Sequence, residues 1–273
     1  MSRKLSFIPP IPDYEWIRHQ MQEDLKYRLE TRREKTSLGR PLYYRINVQI
    51  IMTQECPYHC PFCLERQHPM KGAFQAEAQK EALRKILKEH PYARLTITGG
   101  EPGLYPNHVK DLIDIYKAES HQTFANINTS GYNPELNKMA HINLSVNDYV
   151  KPNPHLFPDA TIQTVLTDEQ MNLLFIKNYM LDYPDHSFSF RYLSGLEKHD
   201  YNISIFNALH NDPEIGIHTF RIGDFFVYAT FDYQGIHGRI TLGDMYQQTH
   251  NDYQDGYSNI IIHPDGRIGI NWN

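Results

Sequence analysis

From Tyr44 to about residue 195 the sequence repeats one pattern: a short run rich in β-branched residues, then a segment whose apolar residues recur at helical spacing. Predicted strands lie near 46–53, 94–98, 123–129, 141–147, 160–166 and 187–193, and predicted helices near 75–90, 107–119, 134–140 and 168–182. Strands joined by helical crossovers run parallel, because a tight hairpin cannot connect them. Six such strands fit an α/β fold, a partial (β/α)6 TIM-type barrel. Thr167 and Gln170 have capping-box spacing, which places a start for the helix over 168–182.

A parallel barrel carries its working residues in the loops at the carboxyl ends of its strands. The first such loop holds all three cysteines, Cys56, Cys60 and Cys63, within eight consecutive residues at spacing C-x3-C-x2-C. Thiolates this close in sequence can wrap one inorganic centre, and soft sulfur selects zinc, copper(I) or an iron–sulfur cluster. Zinc would take a fourth ligand, with His59 or His68 in reach, and a disulfide would leave one cysteine unpaired. The second strand ends in Gly99-Gly100-Glu101-Pro102, the third in Asn128-Thr129-Ser130-Gly131, and the fourth in Ser145-Val146-Asn147-Asp148.

The cysteine loop followed by the Gly-Gly-Glu-Pro turn resembles the radical S-adenosylmethionine superfamily, which carries these motifs after its first and second barrel strands. The resemblance implies the partial barrel over roughly residues 45–195, one [4Fe-4S] cluster held by Cys56, Cys60 and Cys63, and S-adenosylmethionine chelated to the fourth iron. It implies reductive cleavage to a 5'-deoxyadenosyl radical that abstracts a hydrogen atom from a peptide or small metabolite, with electrons from a low-potential donor such as flavodoxin or ferredoxin. Phe62 stands where relatives carry an aromatic near adenine. Gly99 and Gly100 would let the backbone approach the methionine moiety, and Glu101 would accept from its ammonium group. Thr129, Ser130, Ser145 and Asn147 are candidates for ribose and carboxylate contacts, although serine and asparagine at strand ends are also turn residues. Arg191, charged amid apolar neighbours, is a candidate partner for the methionine carboxylate, or else an outward-facing or ion-paired arginine. Tyr192 is the candidate catalytic tyrosine, with Tyr228 and Tyr233 as further candidates to line the substrate cavity.

Three parts are expected: an N-terminal helical extension over 1–44, the barrel core over 45–199, and a C-terminal extension over 200–273. In the first, Ile17, Met21, Leu25 and Leu29 form a narrow apolar stripe. In the last, Asp232-Tyr233-Gln234-Gly235 and Pro264-Asp265-Gly266 mark turns, and the hairpin over Ser258 to Trp272 resembles the opening of a SPASM or twitch-type extension without its cluster cysteines.

A net charge of −5 argues against a general grip on nucleic acid. The sequence has no run near the ~18 apolar residues of a membrane helix, and its start lacks the apolar core of a signal peptide, so a reducing cytoplasm is expected. Two other readings stay in view: an activase that installs a glycyl radical on a partner protein, and a non-catalytic zinc-binding or regulatory protein.

Overall fold

A computed structural model of the chain describes residues 45–63, 66, 72–167, 170, 172–192, 199–223, 226–243 and 257–269. The predicted N-terminal helix, His68 and Trp272 lie outside the described residues. The chain divides into two compact units, one of residues 44–160 and 249–273, the other including 161–248. The division falls after the fourth strand, between residues 160 and 161, and again between 248 and 249.

In the first unit, β1 (Arg45–Ile51), β2 (Arg94–Thr98), β3 (Ala125–Thr129) and β4 (His141–Ser145) pair parallel in that order. Burial alternates along β2, β3 and β4, as the period of two requires. One face carries Val48, Ile50, Leu95, Ile97, Ile127, Ile142 and Leu144, all at most 1% exposed. The other face is polar, with Thr96 donating to Asn47 Oδ1 (3.1 Å) and Asn143 to Asn128 Oδ1 (2.8 Å).

Helix α1 (Ala76–Glu89) buries Gln79, Ala82, Leu83, Ile86 and Leu87, spaced as one stripe. Helix α2 (Pro106–Glu119) starts on a proline, whose missing N–H costs nothing in the first turn, and has Lys117 in its last turn, where a cation suits the dipole. Its buried Tyr116 hydroxyl lies 2.9 Å from the Ala93 carbonyl and 3.1 Å from that of Phe124, tying the helix to the entries of β2 and β3. The predicted helix at 134–140 is a short 3-10 segment, Pro134–Lys138.

The hairpin predicted near the C-terminus joins this same sheet. Its first strand, β10 (Tyr257–Ile262), pairs parallel with β1, and β11 (Ile268–Gly269) pairs antiparallel with β10. The turn between them holds Gly266 at φ +83°, and a Cβ there would meet Ala78 of α1 at 2.5 Å.

The second unit contains β5 (Thr161–Leu166), α3 (Leu173–Asp182), β6 (Ser187–Tyr192) and α4 (His199–Asn211). A meander follows: β7 (Ile215–Gly223), β8 (Phe226–Tyr233) and β9 (Ile236–Gly243). β5 and β6 are parallel, β6 and β9 are parallel, and β7, β8 and β9 are antiparallel neighbours. Gln234 (φ 51°) and Gly235 (φ 84°) make the β8–β9 turn, the left-handed pair that matches strand twist in a two-residue hairpin.

The start of α3 differs from the reading of the sequence. Gln170 does reach back to the Thr167 N–H (3.1 Å), half of the expected capping box, but the helix begins after Asn172, whose Oδ1 accepts from Phe175 N–H at 2.8 Å. Strand β7 was not predicted at all. Among the described residues, no helix is long and apolar enough to cross a membrane.

Candidate active site

The cysteine loop leaves β1 at Met52 and rests on the turn that ends β2. Met52 N–H donates to the Thr98 carbonyl (2.9 Å), Glu101 N–H to the Glu55 carbonyl (2.8 Å), and Glu55 N–H to Thr53 Oγ1 (3.1 Å). Gly99 (φ 80°) and Gly100 (φ 48°) are left-handed. A Cβ on Gly99 would fall 2.3 Å from Ile51 Cγ2, and one on Gly100 would fall 2.3 Å from the Glu55 carbonyl oxygen and 2.6 Å from that of Thr53. The glycines therefore let the turn pack directly on the root of the cysteine loop.

Cys56, Cys60 and Cys63 are free thiols, each partly exposed. Cys63 N–H donates to the Cys60 carbonyl (3.2 Å), closing a tight turn, and Arg66 N–H donates to the Cys63 carbonyl (3.1 Å). Partial burial pushes the Cys56 and Cys60 thiols up; the Glu101 charge and then Cys63 add to this at Cys56, and the neighbouring sulfurs add to it at Cys60. Three cysteine sulfurs on one short loop form a set that a cationic centre would draw into the thiolate form. They fit the three-thiolate site of a [4Fe-4S] cluster, which takes each sulfur on a separate iron and leaves one iron open. Among the described residues, no three His, Cys, Asp or Glu side chains are grouped to hold a single metal ion. His59 lies in the loop with its ring against Arg66.

Glu101 is 1% exposed, and its carboxylate is filled from within the protein. Oε1 accepts from Gly103 N–H (2.7 Å) and the Thr129 hydroxyl (2.5 Å); Oε2 accepts from Ser130 N–H (2.7 Å) and the Ser130 hydroxyl. These four donors match the four lone-pair sites of a carboxylate. Glu101, expected as an ammonium acceptor, also joins the ends of β2 and β3 through its bonds to Thr129 and Ser130. Asn147 Oδ1 accepts from Tyr149 N–H (2.9 Å) and Val150 N–H (3.1 Å), the turn role open to it from the outset. Ser145 ends β4, half-buried.

Phe62 meets Tyr149 edge to face, with ring centroids 5.9 Å apart, so an aromatic pair joins the cysteine loop to the loop after β4. In the second unit, Arg191 on β6 is half-buried and lies in register with Val165 and Thr241. Tyr192 ends the same strand, and its side chain lies outside the described residues. Tyr228 lies under the Arg239 guanidinium at 4.2 Å, and Tyr233 is buried beneath Lys177 at 5.0 Å.

Several contributors were missed in the sequence. Glu55 Oε2 accepts from the Tyr105 hydroxyl at 2.7 Å, a bond that pushes the phenol up, and Phe74 packs on Tyr105 and His108. Gln79 sits wholly buried behind the loop. Its one visible signal was a polar amide on an otherwise apolar helical stripe.

The sequence matches the model of the radical SAM superfamily over residues 50–165. No curated protein matches it. Among solved structures, SuiB of Streptococcus suis bound to S-adenosylmethionine is 14% identical with a TM-score of 0.53, covering 97% of this chain and 66% of that one. SuiB bound to the precursor peptide SuiA is 12% identical with a TM-score of 0.52 and the same coverage. anSMEcpe with bound AdoMet is 14% identical with a TM-score of 0.48, covering 60% of this chain and 59% of that one. This chain therefore spans 59–66% of the length of these structures, and the likeness to SuiB is one of fold, an open α/β architecture of partial-barrel type. The match at 50–165, with its cysteine loop and Gly-Gly-Glu-Pro turn in order, identifies that stretch as a radical SAM superfamily domain.

Proposed function

We propose that the protein is a radical S-adenosylmethionine enzyme that uses a single [4Fe-4S] cluster to remove a hydrogen atom from a peptide or small-metabolite substrate. The observation that carries this reading is one loop at the carboxyl end of β1 that holds three free thiols and whose root, at Thr53 and Glu55, packs directly against the glycine turn that ends β2. When bound, the cluster and S-adenosylmethionine supply one-electron cleavage and radical chemistry; the protein supplies ligands, orientation and exclusion of water. Cys56, Cys60 and Cys63 hold the metal. Phe62, with Tyr149 against it, offers an aromatic wall for adenine, and the backbone of Gly99 and Gly100 borders the methionine end. Ser145 and Arg191 remain candidates for the ribose and carboxylate.

Two features favour a peptide over an apolar metabolite. SuiB, which shares the fold, has been solved with a precursor peptide. The polar strand face presents Asn47, Thr96, Asn126, Asn128 and Asn143 where barrel interiors more often hold branched aliphatics, and buried Asn126 Oδ1 has no hydrogen-bond partner among the described residues. An orphan acceptor of this kind suits an amide N–H.

The test is anaerobic reconstitution with iron and sulfide, then S-adenosylmethionine and dithionite, with 5'-deoxyadenosine measured by chromatography and mass. Product from the native protein and none from Cys60→Ala is expected. A full iron complement and undiminished product in Cys60→Ala would overturn the ligand assignment.

A further inference from the structure

The amide of Gln79 is the meeting point of three chain segments. Its Nε2 lies 2.9 Å from the Ile51 carbonyl, 3.3 Å from that of Met52 and 3.0 Å from that of His263, while Oε1 lies 2.9 Å from His108 Nε2. A primary amide has two hydrogens and one acceptor oxygen. One hydrogen serves His263, the other is shared by the consecutive carbonyls of Ile51 and Met52, and the oxygen takes the His108 N–H. This fixes the amide's orientation, since the reverse would set oxygen against three oxygens. It also requires a proton on His108 Nε2, and Nδ1 has no partner among the described residues.

Ile51 and Met52 lead straight into the cysteine loop. The same stretch receives Gly99 and Gly100 from the other side: Gly99 packs on Ile51, and Gly100 on the carbonyls of Thr53 and Glu55. Met52 N–H is held by Thr98 and the Glu55 carbonyl by Glu101 N–H. The root of the loop is therefore gripped from α1 by one side chain and from β2 by backbone. Leu83, Ile86 and Leu87 occupy the rest of the buried stripe, so a leucine at 79 would satisfy the helix and the core equally well. What an apolar residue cannot do is hold those carbonyls.

We propose that Gln79 is a positioning residue for the iron–sulfur site: its amide sets where the cysteine loop leaves β1, and so where Cys56, Cys60 and Cys63 stand relative to the Gly99–Glu101 turn. The assignment of the thiols to a cluster is the reading given above; the clamp itself acts on the loop with or without metal. His108 acts one step further back by keeping the amide from turning over.

The experiment uses Gln79→Leu and His108→Phe in the full chain. In the metal-free protein, hydrogen exchange of residues 53–63 should quicken about tenfold in Gln79→Leu, the scale of one lost hydrogen bond in a local opening, while the α2 core at 109–116 stays protected. After reconstitution the variant should carry near-native iron but bind S-adenosylmethionine about tenfold more weakly, as small displacements of a positioning group do, with a changed electron paramagnetic resonance spectrum of the reduced cluster. His108→Phe should move all three readouts the same way by less, and it carries the test alone if Gln79→Leu does not fold. Exchange, affinity and spectrum within twofold of native in the folded variants would overturn the proposal, even with a lowered melting temperature, because Gln79 would then be packing only. Failure of the native protein to assemble a cluster would instead overturn the reading of the thiols, and the exchange data would still decide the clamp.

Discussion

Glu101→Gln is close to isosteric, and the geometry says that it is not conservative. Each carboxylate oxygen accepts from a backbone N–H, Gly103 on Oε1 and Ser130 on Oε2, both at 2.7 Å. Hydroxyl donors such as Thr129 and Ser130 can rotate to accept from an amide, but a backbone N–H cannot turn away. Whichever way the new amide is placed, its NH2 group faces one fixed donor. That donor is left buried and unpaired, at about 1–3 kcal/mol, and the three surviving bonds lose charge assistance worth up to about 1 kcal/mol each. Relief of the desolvation of a buried carboxylate offsets part of this, so about 3 kcal/mol is expected. At ~2–4 °C per kcal/mol for a chain of this size, the melting temperature of metal-free protein should fall by roughly 6–12 °C. Calorimetry without cluster or S-adenosylmethionine is the assay, since a residue that served only to bind the ligand would leave this temperature alone. A fall under about 2 °C would refute the structural role and restore Glu101 as a free ligand for an ammonium group.

Gly100→Ala should be more disruptive than its size suggests, because the methyl would enter the space held by the Thr53 and Glu55 carbonyls; a loss of about 3 kcal/mol in urea unfolding is expected, and a loss below about 1 would contradict the close approach. His108 is held down to about 4, chiefly by burial and then by the Lys80 charge, against the raising influence of Asp111 and Glu77. A histidine held neutral in the fold lends stability that is complete above the unfolded value near 6.5 and is lost as pH falls towards 4. The loss is at most about 3 kcal/mol, nearer 2 once solvent at its edge is allowed for. Unfolding midpoints between pH 7 and 4 should show it, and His108→Phe should flatten that slope; an unchanged slope would refute the assignment.

The strands were legible because each carries its own period: β2, β3 and β4 alternate apolar and polar, and their positions fall within two residues of those read from the sequence. The motifs were legible for a similar reason, since a cysteine loop and a glycine pair declare themselves by residue type alone. Partners were not. Whether Thr129 faces a ligand or Glu101 depends on a residue 28 positions away, and no local pattern encodes that distance. Asn147 could be a ligand contact or a turn residue by composition, and only the folded loop shows its oxygen turned on Tyr149 and Val150. The start of α3 moved because two capping signals, Thr167 and Asn172, lie five residues apart and only one opens a helix. Strand β7 escaped because its irregular step between Ile217 and Thr219 breaks the alternation that would have announced it.

The pairing of β10 with β1 gives the protein an order of events during synthesis. Gln79 and the His263 carbonyl it holds are 184 positions apart. At a ribosome speed of ~5–20 residues per second, the cysteine loop is exposed for roughly 10–40 s before the strand that completes its support emerges. In that interval β1 has an open edge. The backbone support of the loop's root is therefore completed only when the last parallel strand has paired with β1 and brought the His263 carbonyl to Gln79.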